Sequence, residues 1–325
     1  MIMINRILLS ASLLLCALLI PFSPTQAQAP LRVLVGFPPG GTTDGVARLY
    51  AGGMAQALSR TVVVENKPGA GGVVAAMALK GAPADGNTLM LAAIVNISIY
   101  PSIADPAAYD PFRDFVPVSL VGKYDLALAV NKASGINSVA DYVKWVRGNP
   151  AKANFGSPGS GSLPHLFGLQ LARATGIELV HVPFQGAAPS ITNLIGGQIG
   201  AVIQPVSDLL PQHQAGRLQI LASTGAQRNP SLPDVPTFAE LGYERLQGSG
   251  WIGFFAPAAT PRKSLQATWE AVQATQALPE VKARMQALGF EAGTMSSADF
   301  EALARSDAAR WAAVVQGEGG AARIK

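Results

Sequence analysis

The chain is poor in the residue types on which most metal centres and disulfides depend. Its 325 residues include one cysteine, Cys16, and three histidines, His165, His181 and His213. Cys16 lies in the apolar run near the start of the chain, which we interpret below as a signal peptide, so the exported part has no thiol for a disulfide or a cysteine-ligated metal site. The histidines are far apart in sequence and no carboxylate lies near them at a ligand spacing. The sequence therefore predicts neither a metal site nor a bound cofactor.

Charged side chains are also scarce. They make up 14% of the residues, and the net charge at pH 7 is +4. The lysines and arginines are scattered, with no basic block of the kind that binds nucleic acid. We predict no nucleic-acid partner.

The sequence lacks the common nucleotide and hydrolase motifs. No glycine pair is followed by the Lys-Ser or Lys-Thr of a P-loop, the dinucleotide fingerprint is absent, and Gly-x-Ser-x-Gly does not occur. His165 follows Ser162 by three residues, so a Ser–His pair is conceivable. We interpret His165 instead as a ligand contact or a structural residue. The prediction is that the protein has no catalytic residues and is not an enzyme.

Only one apolar run stands out, and it lies at the start of the chain. Arg6 precedes the apolar residues 7–20, Pro21 ends the run, and small residues follow around Ala27. This order is typical of a secretory signal, and the run is shorter than the roughly 20 residues of a spanning helix, the alternative. We predict a signal peptide over residues 1–27 and export of the rest.

Strands and helices alternate through the remaining chain. This alternation favours an α/β fold with parallel sheets that are flanked by helices, and about 300 residues favour two lobes rather than one core. Strands near residues 126–131 and 248–256 are expected to cross between the lobes and form a hinge around a cleft. The predicted lobes are residues 28–126 with 252–325, and residues 127–251. Predicted strands span 31–37, 61–65, 88–94, 126–131, 154–156, 177–184, 199–204, 218–224 and 251–256, and predicted helices span 44–58, 73–80, 138–147, 162–174, 187–195 and 207–214, with three more from Pro261, Pro279 and Ser296.

Three glycine-rich turns each follow a predicted strand and open a helix. We call residues 37–44 the first turn, 156–162 the second turn and 184–189 the third turn. A helix N-terminus presents unpaired N–H groups and the positive end of the helix dipole, and glycine lets an anion approach them. Each turn is either a carboxylate or phosphate site or a simple packing turn. Thr42, Thr43 and Asp44 are expected to cap the first helix, and Ser162 the helix after the second turn.

Residues 66–72 form a further glycine-rich turn. It is either a tight connection into the next helix or a border of the same cleft, and the sequence leaves both interpretations open.

Together these segments resemble the periplasmic substrate-binding proteins of the tripartite tricarboxylate transporter family, often called Bug receptors. The resemblance extends in order along the whole chain after the signal. It is carried by VGFPPGGTTD (35–44), ENKPGAGG (65–72), ADGNTL (84–89), YDP (109–111), DFVPV (114–118), NFGSPGSGS (154–162) with HL (165–166), VPFQGAAP (182–189), GQ (197–198), LPDVPT (232–237), WIG (251–253) and APA (256–258).

The resemblance implies a two-lobed fold of the type II periplasmic binding protein kind. It further implies a small di- or tricarboxylate, acidic or aromatic acid as ligand, membrane subunits of a tripartite transporter as partners, a monomer and a periplasmic location. A receptor that feeds a signalling system, or an exported hydrolase, would be the alternatives. The residues implied to bind the ligand are Phe37, Gly41, Thr42, Asp44, Ser157, Gly159, Ser162, His165, Phe184, Gly186 and Ala187.

Three positions depart from the family's usual pattern. Gly200 stands where many relatives carry Asp, Asn87 replaces an aromatic residue, and residues 97–99 lack a Thr-His pair. An Asp at position 200 could meet an amine on the ligand. The identity of the carboxylate is therefore left open.

Overall fold

The computed structural model describes residues 28–104, 106–293 and 295–317, so the predicted signal peptide lies outside the described residues. In this part of the chain no helix is both long and apolar enough to cross a membrane. The strands are β1 (Leu31–Val35), β2 (Val62–Asn66), β3 (Thr88–Ala93), β4 (Phe115–Tyr124), β5 (Leu126–Asn131), β6 (Asn154–Ser157), β7 (Val180–Pro183), β8 (Ala201–Pro205), β9 (Leu218–Ser223), β10 (Gly250–Pro257) and β11 (Phe290–Ala292). The α-helices are α1 (Thr42–Leu58), α2 (Val73–Lys80), α3 (Tyr100–Ile103), α4 (Pro111–Asp114), α5 (Val139–Gly148), α6 (Leu163–Thr175), α7 (Ala187–Ile195), α8 (Val206–Gln214), α9 (Arg262–Ala277), α10 (Pro279–Ala287) and α11 (Ser297–Gly317).

The first sheet has six strands in the order β11-β4-β10-β3-β1-β2. Strands β1, β2 and β3 are parallel, whereas β10 runs antiparallel to both β3 and β4. The expectation of purely parallel sheets was wrong, because only strands joined by a crossover helix are forced to run the same way. Strand β10 enters this sheet from the other lobe and is free to run the opposite way.

The second sheet has five strands in the order β7-β6-β8-β5-β9. Strand β6 is parallel to β7 and β8, and β5 is antiparallel to β8 and β9. Each sheet is flanked by helices, so the protein has the two-lobed α/β fold that the resemblance implied.

The chain passes between the sheets twice, and hydrogen bonds join the two passages. Asp125 separates β4 from β5, and residues 224–249 connect β9 to β10. Ser249 Oγ donates to Asp125 Oδ1 at 2.8 Å, and the Leu126 amide donates to Thr224 Oγ1 at 3.0 Å. These bonds hold the two crossing segments side by side as one hinge.

Helix α11 bridges the two lobes at the side of the hinge. Its buried Trp311 meets Phe167 of α6 edge to face, with ring centroids 5.4 Å apart. On the same helix, Asp307 accepts a 2.8 Å hydrogen bond from Nε1 of Trp251 in β10. One apolar core therefore continues from the first lobe into the second.

Candidate ligand cleft

The carboxyl ends of the parallel strands define the cleft. Strands β1, β2 and β3 end at one edge of the first sheet, and β6, β7 and β8 end at one edge of the second. The Thr42 side chain, after β1, lies near the Asp208 carboxylate, after β8, and lowers the pKa that burial raises. The two edges therefore face each other, and all three predicted turns lie on them. Open α/β sheets bind ligands at this position.

The first turn ends in a helix that has no side-chain cap. Helix α1 begins at Thr42, and its N-cap is Gly41, with extended backbone angles of φ −78° and ψ 169°. The amides of Thr42, Thr43 and Asp44 donate to no other atom of the described residues. The expectation that these three side chains cap the helix was wrong, because the helix starts two residues before the predicted position 44. An uncapped helix N-terminus of this kind can bind water or an anion.

Asp44 braces the first turn from beneath. Its buried carboxylate accepts hydrogen bonds from the Gly40 amide at 2.9 Å, from Arg48 Nε at 3.0 Å and from Asn66 Nδ2 at 2.9 Å. Asn66 also donates to the Phe37 carbonyl at 3.1 Å. The bond to Arg48, with the Gly40 and Asn66 bonds, outweighs burial and lowers the pKa of Asp44 to about 2. The carboxylate is ionised and fully engaged, so it offers no free oxygen to a ligand.

The glycine-rich segment 66–72 packs directly against the first turn. A Cβ on Gly36 would lie only 2.6 Å from Gly72 Cα, so the two backbones touch where no side chain fits. Buried Asn96, after β3, donates to the Gly71 carbonyl at 2.7 Å. The segment therefore borders the same strand edge as the first turn. The sequence did not indicate that Asn66 and Asn96 support this edge, because their partners Phe37, Asp44 and Gly71 are distant from them in the chain.

The second turn uses its amides internally. Ser162 caps α6 as predicted, accepting a hydrogen bond from the His165 amide at 3.3 Å. The Gly161 amide donates to His165 Nδ1 at 3.1 Å, and the Ser162 amide donates to the Gly159 carbonyl at 3.3 Å. This turn therefore offers an anion fewer free N–H groups than the first turn.

A buried Ser–His contact supports the second turn. Ser157 Oγ lies 2.7 Å from His181 Nε2, and the rings of His181 and His165 stack with centroids 3.9 Å apart. Burial lowers the pKa of His165 to about 4; burial and, to a lesser degree, the neighbouring His165 lower that of His181 to about 3. Both rings are neutral at pH 7. Ser157 is 0% exposed, so its hydroxyl is enclosed rather than presented to a substrate.

The third turn resembles the first in leaving its helix uncapped. Gly186 is the N-cap of α7, with φ 105°, and no side chain of the described residues caps the helix. The Phe184 amide donates to the Ser157 carbonyl at 3.0 Å, which joins this turn to the end of β6. Gly186 and Ala187 are half-buried, and the amides of Ala187 and Ala188 have no acceptor within the described ranges. The second lobe thus has its own uncapped helix end.

The predicted site residues divide into two groups by exposure. Asp44, Ser157 and His165 are buried and hydrogen-bonded beneath the turns. The others are at least partly exposed: Phe37, Gly41, Thr42, Gly159, Ser162, Phe184, Gly186 and Ala187. Among the described residues no cluster of three or more His, Cys, Asp or Glu is placed to hold a metal ion.

Two lobes, uncapped helix ends and two crossing segments do not by themselves identify the kind of protein, and comparison with known families decides it. The model of the tripartite tricarboxylate transporter family receptor matches residues 46–319. The chain belongs to this family. The resemblance found in the sequence is confirmed.

Solved structures agree with this assignment. The periplasmic binding protein BugD is 31% identical, with a TM-score of 0.81 over 89% of this chain and 97% of its own. MatC from Rhodopseudomonas palustris with bound malate is 29% identical, with a TM-score of 0.81 over 88% and 98%. An R. palustris protein with adipate is 30% identical, with a TM-score of 0.82 over 90% and 98%.

Proposed function

We propose that this receptor captures a small carboxylate in the interlobe cleft, in the periplasm, and delivers it to the membrane subunits of a tripartite transporter. It acts as a monomer and performs no chemistry on the ligand. The bodies that close on the ligand are residues 28–126 with 252–325, and residues 127–251. These limits lie within two residues of the starts of β5 and β10, where the chain changes sheet.

The observation that carries the proposal is the uncapped N-terminus of α1. Gly41 supplies no oxygen to the helix, and three successive amides beside it have no acceptor among the described residues. A carboxylate that lies there would satisfy these amides and meet the positive end of the helix dipole. The malate and adipate held by two structural relatives support the same ligand chemistry.

The half-exposed residues of the turns would make the contacts. Thr42 and Phe37 line the first turn, and Phe184, Gly186 and Ala187 line the third on the opposite lobe. A ligand with two polar ends can be held by one uncapped helix in each lobe, which would favour the closed state. Gly159 and Ser162 would border it, while buried Asp44, Ser157 and His165 hold the turns in shape.

The buried Ser157–His181 contact does not favour hydrolysis. The hydroxyl is enclosed, and a histidine with its pKa near 3 is a weak general base. We therefore assign this pair to the support of the turn.

A thermal-denaturation screen tests the proposal. The chain from Gln28 would be mixed with malate, adipate, tricarboxylates, acidic amino acids and aromatic acids. A ligand that binds only the folded state at 100 times its Kd stabilises it by about 2.7 kcal/mol, so the melting temperature rises with concentration. The corresponding amide of each acid, with every carboxyl group amidated, is the control and should give no shift.

If no acid shifts the melting temperature of folded, ligand-free protein, the carboxylate proposal fails. If an acid binds and NMR shows its conversion to product, the proposal that the protein performs no chemistry fails instead.

A further inference from the structure

Asp208 lies where the start of α8 meets the hinge and the first lobe. It lies in the first turn of α8, whose Val206 amide donates to the Asp125 carbonyl of the hinge at 2.9 Å. Ser207 lies against Gly289 of the first lobe, where a Cβ would be 3.2 Å from the Ser207 side chain. The next residue, half-buried Asp208, lies near the side chain of Thr42, the first residue of the uncapped helix α1. A carboxylate of one lobe thus faces the anion site of the other.

Among the described residues, no cation lies within ion-pair distance of Asp208. The second-lobe elements that pack most extensively against α8, strands β5, β8 and β9 and helix α7, contain no charged or titratable residue. On the first-lobe side, α1 carries Asp44 and Arg48, which pair with each other. Tyr124 of β4 is also near Asp208. Burial, and to a lesser degree the charge of Asp208, raise the pKa of Tyr124, so its side chain is neutral. Burial is the main cause of the raised pKa of Asp208, and the nearby Thr42 side chain offsets only part of it.

We propose that Asp208 couples carboxylate binding to proton uptake: when a ligand carboxylate occupies the first turn, Asp208 takes up a proton and faces the ligand as a neutral hydrogen-bond donor. This inference rests on the proposed function, because it concerns the same cleft. It adds that the ligand and one proton bind together.

The physical reason is that two carboxylates in one desolvated site do not both stay ionised. The ligand keeps its charge because three helix amides stabilise it, and Asp208 has no comparable partner. The proton therefore goes to Asp208, whose pKa burial already raises to about 6 without a ligand. A bound anion raises this pKa further.

The sign of the pH dependence follows. Below about pH 6 Asp208 is already protonated, and affinity is insensitive to its titration. As pH rises above about 6, binding must bring in a proton, so affinity falls by up to about tenfold per pH unit until the pKa of the bound state is passed.

The experiment is calorimetry with malate and adipate at several pH values between about 6.5 and 8.5, in buffers of different ionisation enthalpy. We expect uptake of about half to one proton per ligand bound near pH 7. Asp208→Asn keeps the shape of the side chain and is always neutral. It should bind without proton uptake, with an affinity independent of pH and at least about tenfold tighter than the wild type at about pH 8.5.

Asp234→Asn is the matched control, because Asp234 is an exposed residue of the same lobe. It should retain wild-type proton uptake. Equal uptake in the wild type and Asp208→Asn, or wild-type affinity that rises with pH, would overturn the proton-coupling inference and leave carboxylate binding intact. Absence of any binding by any acid at any pH would instead overturn the proposed function, and this inference with it.

Discussion

Replacement of Gly41 by aspartate should separate stability from binding. Gly41 has the extended backbone of an N-cap residue, and a Cβ there meets only the Pro38 carbonyl at an ordinary 3.5 Å. Aspartate is among the best N-cap residues because its carboxylate accepts hydrogen bonds from the amides at the second and third helical positions. In Gly41→Asp the new carboxylate would occupy the place proposed for the ligand.

The two effects have opposite signs. The cap and the charge at the helix N-terminus should raise the free energy of unfolding without ligand by about 0.5–1 kcal/mol. Binding loses at least two charge-assisted hydrogen bonds and gains a like-charge repulsion. At about 1.5 kcal/mol or more per bond, the loss is about 3 kcal/mol, or at least a hundredfold in Kd.

Urea denaturation would measure the first effect, and calorimetry with the best acid of the screen the second. Gly41→Ala is the matched control, because it adds the Cβ without an oxygen. It should cost a few tenths of a kcal/mol in stability and leave Kd within about threefold. If Gly41→Asp binds the acid as tightly as Gly41→Ala does, the uncapped end of α1 is not the carboxylate site.

Three further predictions concern stability and the shape of the turns. In Gly168→Ala the new Cβ would overlap the Phe155 ring, so the free energy of unfolding measured with urea should fall by about 1–3 kcal/mol. Gly52→Ala is the matched control in open space, and its free energy of unfolding should rise by about 0.5–1 kcal/mol. Asn66→Ala should weaken acid binding about tenfold by calorimetry, because it removes the bonds that hold the first turn. Folding favours the neutral form of His165, because burial lowers its pKa to about 4. Its contribution to the free energy of unfolding is therefore full above about pH 6.5 and falls by about 2–3 kcal/mol as the pH drops to about 4. His165→Gln should lose less stability over this range, and an equal loss would contradict the lowered pKa of His165.

Most elements were predictable because their sequence signals are local. Ser138 caps α5 through the Asp141 amide, and Gly176 ends α6 in the left-handed conformation, as their positions indicated. Strand β4 was missed because Pro117 normally argues against a strand. In the structure, β4 is paired on only one side at Pro117, and the neighbouring strand changes register beside it. That exception depends on the partner strand and is invisible in the local sequence.

The site was predictable as three turns but not as a set of contacts. Glycine after a strand and before a helix marks the turns reliably. Which turn offers free amides depends on distant side chains: His181 reaches Ser157 only through the pairing of β6 with β7, and Asn66 reaches Asp44 only across β2 and α1. Asp208 comes near Thr42 only when both lobes are in place. No sequence pattern encodes these distances.

Asp44 and Asp208 have pKa values that are shifted in opposite directions, and this difference affects how the cleft can bind an anion. Asp44 is paired with Arg48, which lowers its pKa to about 2, so the pair adds little net charge beside the ligand. Asp208 is unpaired in the described structure, and burial raises its pKa to about 6. A ligand carboxylate held only by helix amides can lie beside the Asp44–Arg48 pair at any pH above about 4. It can lie beside Asp208 only when Asp208 is protonated. The turn proposed to bind the anion would therefore be little affected by Asp44 in its own lobe and would remain sensitive to Asp208 of the opposite lobe.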